Sequence, residues 1–335
     1  MDRKKILIFG GGTGMSCLLK GLKQFPVDIT AVVSVCDDGG STGILRDEFD
    51  MLAVGDIRKV LVALSQTESS IEKMLNYRFK TNGTLNKHTV GNVMLAAVTE
   101  MTGSIQQGIE LLSNILNLCG KVMPVTESNV VLVGEMEDGS LVEGEHYITE
   151  SNKNIKRVFY KEKPDINERL IEEIEQADLI AFSMGSLYTS LLPCLVCDEI
   201  KEAIDRSNAS IIYTCNLFTQ PGETENFTVS DHVRVINSYL GDKKINTVIA
   251  NDGEINEALA YKYLTTEQKD VVKLDEEVLE QLVDKVIKSD LITIEDNVFR
   301  HDYITLGSLI FSETLEIDKG IKRMVKSNKK LDSNH

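Results

Sequence analysis

The chain has 335 residues, 42% hydrophobic and 26% charged, with 36 Lys and Arg against 52 Asp and Glu for a formal net charge of −16. Its length accommodates one large α/β domain or two smaller ones. The acidic balance argues against nucleic acid as a partner, which needs basic stripes along a phosphate backbone, and no uncharged apolar run reaches the about 18 residues of a membrane span.

The N-terminus, MDRKKILIFGGG, starts basic, but its apolar run is short and stops at glycines, so it reads as a first strand and not as a signal peptide. GMSCLLKGLKQF follows with apolar residues three and four apart, a helix, and DITAVVSV is a second strand that completes a right-handed βαβ unit. GDIRKVLVALSQ, SSIEKMLNYRF, HTVGNVMLAAVTEM and SIQQGIELLSNIL are helical in pattern. Character changes from Lys121 to Lys163, where NVVLVGEMEDGSLVEGEHYIT and KRVFYKEK alternate and turn at Asp138-Gly139, which predicts a small β-rich insertion. Strand and helix alternate again through ADLIAFS, ASIIYTCN and NTVIAND. LITIEDNVFRHD reads as two short strands around Glu295-Asp296-Asn297, at or beside a sheet edge.

The expected fold is α/β and Rossmann-like: a mostly parallel sheet with helices on both faces, and ligands beyond the carboxyl ends of the strands. Residues 1–318 are expected to form one domain carrying the insertion. Residues 319–335 are expected to be a basic, disordered tail, with six basic residues and no acid between Lys319 and Lys330. Cys194 and Cys197 form a CxxC without a second pair or a nearby histidine. With the other four cysteines they read as reduced core thiols of a cytoplasmic protein.

Each loop after a proposed strand carries unusual chemistry. Gly11, Gly12, Thr13 and Gly14 open a helix whose free amides can hold a phosphate; the third glycine of a dinucleotide fingerprint and the Gly-Lys-Ser/Thr of a Walker loop are both missing. Next comes SVCDDGGSTG. Asp37 stands about where dinucleotide folds place an acid on ribose hydroxyls. Like charges about 4 Å apart repel by roughly 1 kcal/mol in water and about 4 near a protein surface. An exposed helix terminus returns about 0.3–1 kcal/mol, too little to seat a phosphate against two carboxylates. Asp37 and Asp38 are therefore expected to accept hydroxyls and amines or to hold a divalent cation such as magnesium, with Gly39, Gly40, Ser41 and Thr42 supplying donors. Helix capping by aspartate is the bland alternative.

In the third loop Gly185 and Ser186 open a helix, with hydroxyls from Tyr188 and Thr189; it is not a GxSxG elbow. In the fourth, Asn216, Thr219, Gln220 and Glu223 surround Pro221-Gly222 and are suited to reading a base or sugar, unless the loop is merely polar surface. His88 with Asn92, and Asp56 with Arg58, sit at two further helix starts and close the proposed site, although a lone histidine is more often structural. Arg300 is the candidate guanidinium for a diphosphate, and Tyr263 a candidate ring face.

GGGTGMSCLLKGL, VSVCDDGGSTGILRDE, GDIRKVLVAL, SMGSLYTSLLP and NLFTQPGETENFTVSDHV together resemble the gluconeogenesis-factor, or YvcK-like, proteins of the CofD-like (2-phospho-L-lactate transferase) superfamily, over about residues 4–313. The resemblance implies a Rossmann-like fold, a cytoplasmic location, binding of a UDP-sugar or related nucleotide, and a role in cell shape and wall synthesis on gluconeogenic carbon sources. It implies a binding or regulatory protein without turnover, and leaves a protein partner and a homo-oligomer open. A magnesium-dependent phospholactate-type transferase is the second reading, and an NAD(P)-dependent enzyme the third. Met184 replaces a glycine usual in the family, which questions backbone approach at that loop.

Overall fold

The computed structural model describes residues 3–316 except 50, 152, 296 and 297, so the proposed tail lies outside the described residues. Strand β1 (Lys4–Gly10) leads into α1 (Gly12–Leu22) and β2 (Val27–Val33). Five helices follow: α2 (Gly40–Phe49), α3 (Gly55–Leu64), α4 (Ser69–Asn76), α5 (Val90–Thr102) and α6 (Ile105–Ile115). Then come β3 (Gly120–Pro124), β4 (Leu132–Met136), β5 (Leu141–Glu143), α7 (Glu145–Glu150), β6 (Ile155–Tyr160) and α8 (Glu168–Glu175). The second half runs β7 (Leu179–Phe182), a π-turn at Leu187–Leu191, α9 (Asp198–Arg206), β8 (Ser210–Thr214), α10 (Val229–Ser238), β9 (Thr247–Asn251), α11 (Glu257–Glu267) and α12 (Glu276–Leu279). It closes with β10 (Lys285–Ser289), β11 (Ile292–Glu295), β12 (Val298–His301) and α13 (residues 303–316).

Seven parallel strands form the main sheet in the order β10-β9-β8-β7-β1-β2-β3. The last five residues of β1 and of β2 are buried without alternation, as expected of strands covered on both faces. The chain winds outward from β1 through β2 to β3, then returns to β7 and winds the other way. The switch point lies between β1 and β7, which pair in register from Ile6↔Leu179 to Phe9↔Phe182. In such sheets this is where a crevice opens for a ligand. Helix α1 packs on it through Met15, Leu18, Leu19 and Leu22, a spacing of three and four.

Three elements differ from the sequence reading. GKVMP, placed in the insertion, is instead edge strand β3 of the main sheet and pairs with β2; the insertion proper is the antiparallel sheet β5-β4-β6 with α7, and its turn does fall at Asp138-Gly139. GSTGILRDEF, read as a glycine loop, is helical from Gly40. KVIKS, not among the strands expected from the sequence, is edge strand β10.

The β11–β12 ribbon pairs with itself, Ile292↔His301 to Glu295↔Val298, and not with the main sheet. It folds back over the carboxyl end of β8, where a His301 ring nitrogen lies 3.2 Å from the Cys215 carbonyl and the Cys17 thiol donates to the His301 carbonyl at 3.4 Å. Helix α13 then crosses α1, with Phe311 stacked on Phe25 at 5.2 Å between ring centroids. All six cysteines are free. Burial pushes the Cys194 thiol up and that of Cys197 up to about 12, which suits core packing and not a redox pair.

Candidate ligand-binding site

Two loops meet at the switch point. An added side-chain carbon on Gly14 would lie 2.0 Å from the Met184 carbonyl oxygen, so only glycine lets α1 start against the loop after β7. Backbone approach therefore survives the methionine, because the glycine that permits it is on the opposing strand's loop. Gly11 is held in the same way against Asp56, whose carboxylate oxygen would lie 2.4 Å from such a carbon.

Above these glycines lies a cavity of about 730 Å³ lined by Gly11, Thr13, Asp37, Asp56, Lys59 and Glu145, among others. Beside it is a second of about 430 Å³, whose walls include Phe218, Tyr263, Phe299 and Arg300. Both are lined by Thr13, Gly14, Gly185, Asn216, Gln220 and Lys269, so they form one cleft with an acidic end and an aromatic end. Both volumes fall in the range of small-molecule sites. The aromatic end is rigid: Phe218 stands 5.0 Å from both Tyr263 and Phe299, and the Tyr263 hydroxyl accepts the Phe299 amide at 3.0 Å.

The acidic end combines three elements. Asp37, in the loop after β2, accepts the Gly39 amide at 3.0 Å, and Thr42 also bonds it. Burial, helped by Asp56, raises its pKa. Asp56, on the first turn of α3, pairs with Lys59 at 2.9 Å. Glu145 comes from the insertion; burial first, then Asp37, Glu223 and Asp38, push its carboxyl up to about 8. This end offers Asp37 and Asp56 as acceptors, a Glu145 carboxyl that is neutral at pH 7, and the Lys59 ammonium next to the glycine loop.

Several expected ligand groups are used by the protein itself. Asp38 accepts the Glu145 and His146 amides at 3.1 and 2.8 Å and so caps α7. The aspartates therefore do not act as a pair: one faces the cleft and the other fastens the insertion. Ser41, His88 and Asn92 are buried under α2 in a network, with His88 Nδ1 2.9 Å from Ser41 Oγ, Asn92 donating to Ser41 at 3.3 Å and Arg58 Nε donating to Asn92 at 2.9 Å. None of these lines the cleft, and neither do Gly39, Gly40 or Thr42.

The helix start after β7 is also occupied. Buried Glu223 accepts the Tyr188 amide at 2.8 Å and the Thr189 hydroxyl at 2.9 Å. That carboxylate stands where a phosphate was expected, although burial raises its pKa. Asn216 clamps Gly185 by two bonds, donating to its carbonyl at 2.7 Å and accepting its amide at 2.8 Å. Gln220 donates to Ser186 at 2.6 Å, and Thr219 accepts the Asp270 amide at 2.9 Å. Of this loop, Gly185, Ser186, Thr189, Asn216 and Gln220 line the acidic end, and Thr219 the aromatic one.

For a magnesium ion, the acidic end presents Asp37 and Asp56 beside Glu145, Glu267 lines the aromatic end, and Asp38 lines neither. Among the described residues no group of three or more His, Cys, Asp or Glu is arranged to hold a metal. A cation here would sit between one or two carboxylates and a bound phosphate, the usual manner of magnesium. Glu145, Thr149, Lys59 and Lys269 were missed by the sequence reading. Lys59 stood within GDIRK, but nothing in GEHYIT signals that the insertion docks Glu145 on the glycine loop.

The family model described as 2-phospho-L-lactate transferase CofD matches residues 6–292. The gluconeogenesis factor of Bacillus subtilis is 44% identical over 310 residues, covering 92% of this chain and 98% of that protein. The chain belongs to the gluconeogenesis-factor family, within the CofD-like superfamily. The gluconeogenesis factor of Halalkalibacterium halodurans is 43% identical over 304 residues, covering 90% of this chain and 94% of that one. A crystal structure of an upf0052-family protein from Bacillus halodurans superimposes with a TM-score of 0.89 at 42% identity, over 92% of this chain and 99% of that chain. The family thus joins a transferase-named superfamily to relatives named for gluconeogenesis. Among the described residues no helix is long and apolar enough to cross a membrane.

Proposed function

We propose that this gluconeogenesis-factor relative is a cytoplasmic, nucleotide-sugar-binding regulator, its ligand a UDP-sugar, which serves cell shape and wall synthesis during growth on gluconeogenic carbon. The observation that carries the binding reading is the two-ended cleft. Its aromatic end, with Phe218, Tyr263 and Phe299, suits a flat base, and Arg300 beside it suits a diphosphate. The glycine loop and Lys59 suit the second phosphate, and the acidic end suits sugar hydroxyls, which donate to carboxylates without bringing charge. The physiological role rests on the relatives' name and the family resemblance.

Regulation without turnover is favoured because the hydroxyl–carboxylate contacts of the site, Thr189 to Glu223 and Glu145, and Thr42 to Asp37, tie the protein's own loops together. The second reading, a magnesium-dependent transferase, is supported by the family model and by Asp37 facing the phosphate loop. Calorimetric titration of UDP-glucose with and without magnesium, followed by product analysis, separates the two. Binding with no product above background supports the regulator. Magnesium-dependent product lost in Asp37→Asn would replace it with the transferase, and absence of UDP-glucose heat would remove the UDP-sugar reading.

A further inference from the structure

On the other flank of α1 lies an adjoining groove of about 540 Å³, walled by α1, by α3 and α4, and by the β11–β12 ribbon. Three cationic side chains line it: Lys20, Lys23 and Arg300. In a chain of net charge −16 such cations are normally matched by carboxylates. Lys20 is matched, by Glu72 at 3.2 Å. Lys23 is half-buried and donates to the Ser65 carbonyl at 2.8 Å, with no ion pair among the described residues. The exposed Arg300 side chain likewise shows no ion pair or hydrogen bond there, while its backbone pairs with Thr293, and Glu295 is the other acid in the wall. Burial lowers the Lys23 pKa, with Lys20 adding to the shift and Glu72 opposing it.

We infer that this groove is a second anion site, taking a small organic phosphate between Lys20, Lys23 and Arg300. A phosphate supplies the missing counter-charge, and Arg300 presents a planar fork to its oxygens. Thr13, Cys17, Arg300 and His301 line both this groove and the nucleotide cleft, so occupancy of one bears on the other. The groove is thereby fitted to sense a phosphorylated metabolite and, through Arg300, to compete with the cleft's diphosphate. It shares Arg300 with the nucleotide-sugar reading and is told apart from it by Lys20 and Lys23, which are not in the cleft.

Pyrophosphate is the probe, titrated calorimetrically into the wild type and into Lys20→Gln, Lys23→Met and Lys59→Met. Lys20 is partly exposed, so its variant keeps the fold even where Lys23→Met does not. The expected result is at least fivefold weaker pyrophosphate binding in Lys20→Gln and in Lys23→Met, with Lys59→Met within twofold of wild type. No pyrophosphate heat in the wild type, retained affinity in both groove variants, or a loss confined to Lys59→Met would overturn the site. UDP-glucose affinity, measured separately and unchanged in Lys20→Gln, reports on the cleft alone.

Discussion

Glu145 is the most perturbed carboxyl facing the cleft, and its replacement by glutamine tests the electrostatics of the whole acidic end. The unfolded chain ionises this group near 4.5, whereas the folded protein holds it neutral up to about 8. Below pH 4.5 the carboxyl is neutral in both states and costs nothing. Between 4.5 and 8 the unfolded state sheds the proton and the folded state keeps it, so stability falls as pH rises; above 8 the full penalty is present. At about 1.36 kcal/mol per pKa unit, the rise from 4.5 to about 8 caps that penalty at about 5 kcal/mol. Water reaches Glu145 in part, and solvent screening reduces the realised value to about 2 kcal/mol.

Glu145→Gln keeps the shape and removes the titration. Thermal melts at pH 5, 7 and 9 should show the variant within about 0.5 kcal/mol of wild type at pH 5 and more stable by about 2 kcal/mol at pH 9, a midpoint gain of roughly 4 °C for a chain of this size. An equal difference at pH 5 and pH 9 would refute the reasoning, because it would show that Glu145 ionises freely beside Asp37.

The two neighbouring aspartates should separate cleanly. Asp37→Asn should weaken UDP-glucose at least tenfold by calorimetry with little change in melting midpoint, while Asp38→Ala, which leaves two α7 amides without their acceptor, should lower stability by about 2 kcal/mol in urea titration. Gly14→Ala forces a carbon to within 2.0 Å of the Met184 carbonyl and should cost about 3 kcal/mol, read as a depressed denaturation midpoint. Arg300→Lys keeps the charge and loses the fork; UDP-glucose affinity should drop about tenfold, roughly 1.4 kcal/mol, at an unchanged midpoint.

The main sheet was legible because its signals are local. KKILIFG and DITAVVSV are apolar runs ended by glycine or aspartate, and the structure buries them on both faces. Candidate residues were legible where the backbone alone fixes their place. Gly11 to Gly14 follow a strand and open a helix, so the topology carries them to the switch point whatever the side chains do. Arg300, chosen for chemistry, lines the aromatic end because the ribbon folds back over β8, and Tyr263 meets it there from α11.

What could not be read was which polar group satisfies which. SVCDDGGSTG offers two aspartates with the same local surroundings, and the choice between cleft and cap is made by α7, more than a hundred residues onward. The Tyr188 amide likewise reads as free until Glu223 arrives from another strand's loop. A buried donor must find an acceptor, and in a protein with 52 acids the acceptor is often its own carboxylate and not a ligand's phosphate. The same bonds tie the site together. Asp38 fixes the start of α7, and Gly222 sits so close to Thr149 that an added carbon would lie 2.3 Å from its carbonyl oxygen. The insertion helix is thus wedged between the second and fourth strand loops, and a ligand that moves either loop must also move Glu145. Asp38→Ala should therefore loosen the insertion while Asp37 remains in the cleft: amide hydrogen exchange in α7 should quicken, with β1 and β2 unchanged. Equal protection of α7 in variant and wild type would show that the wedge is held elsewhere.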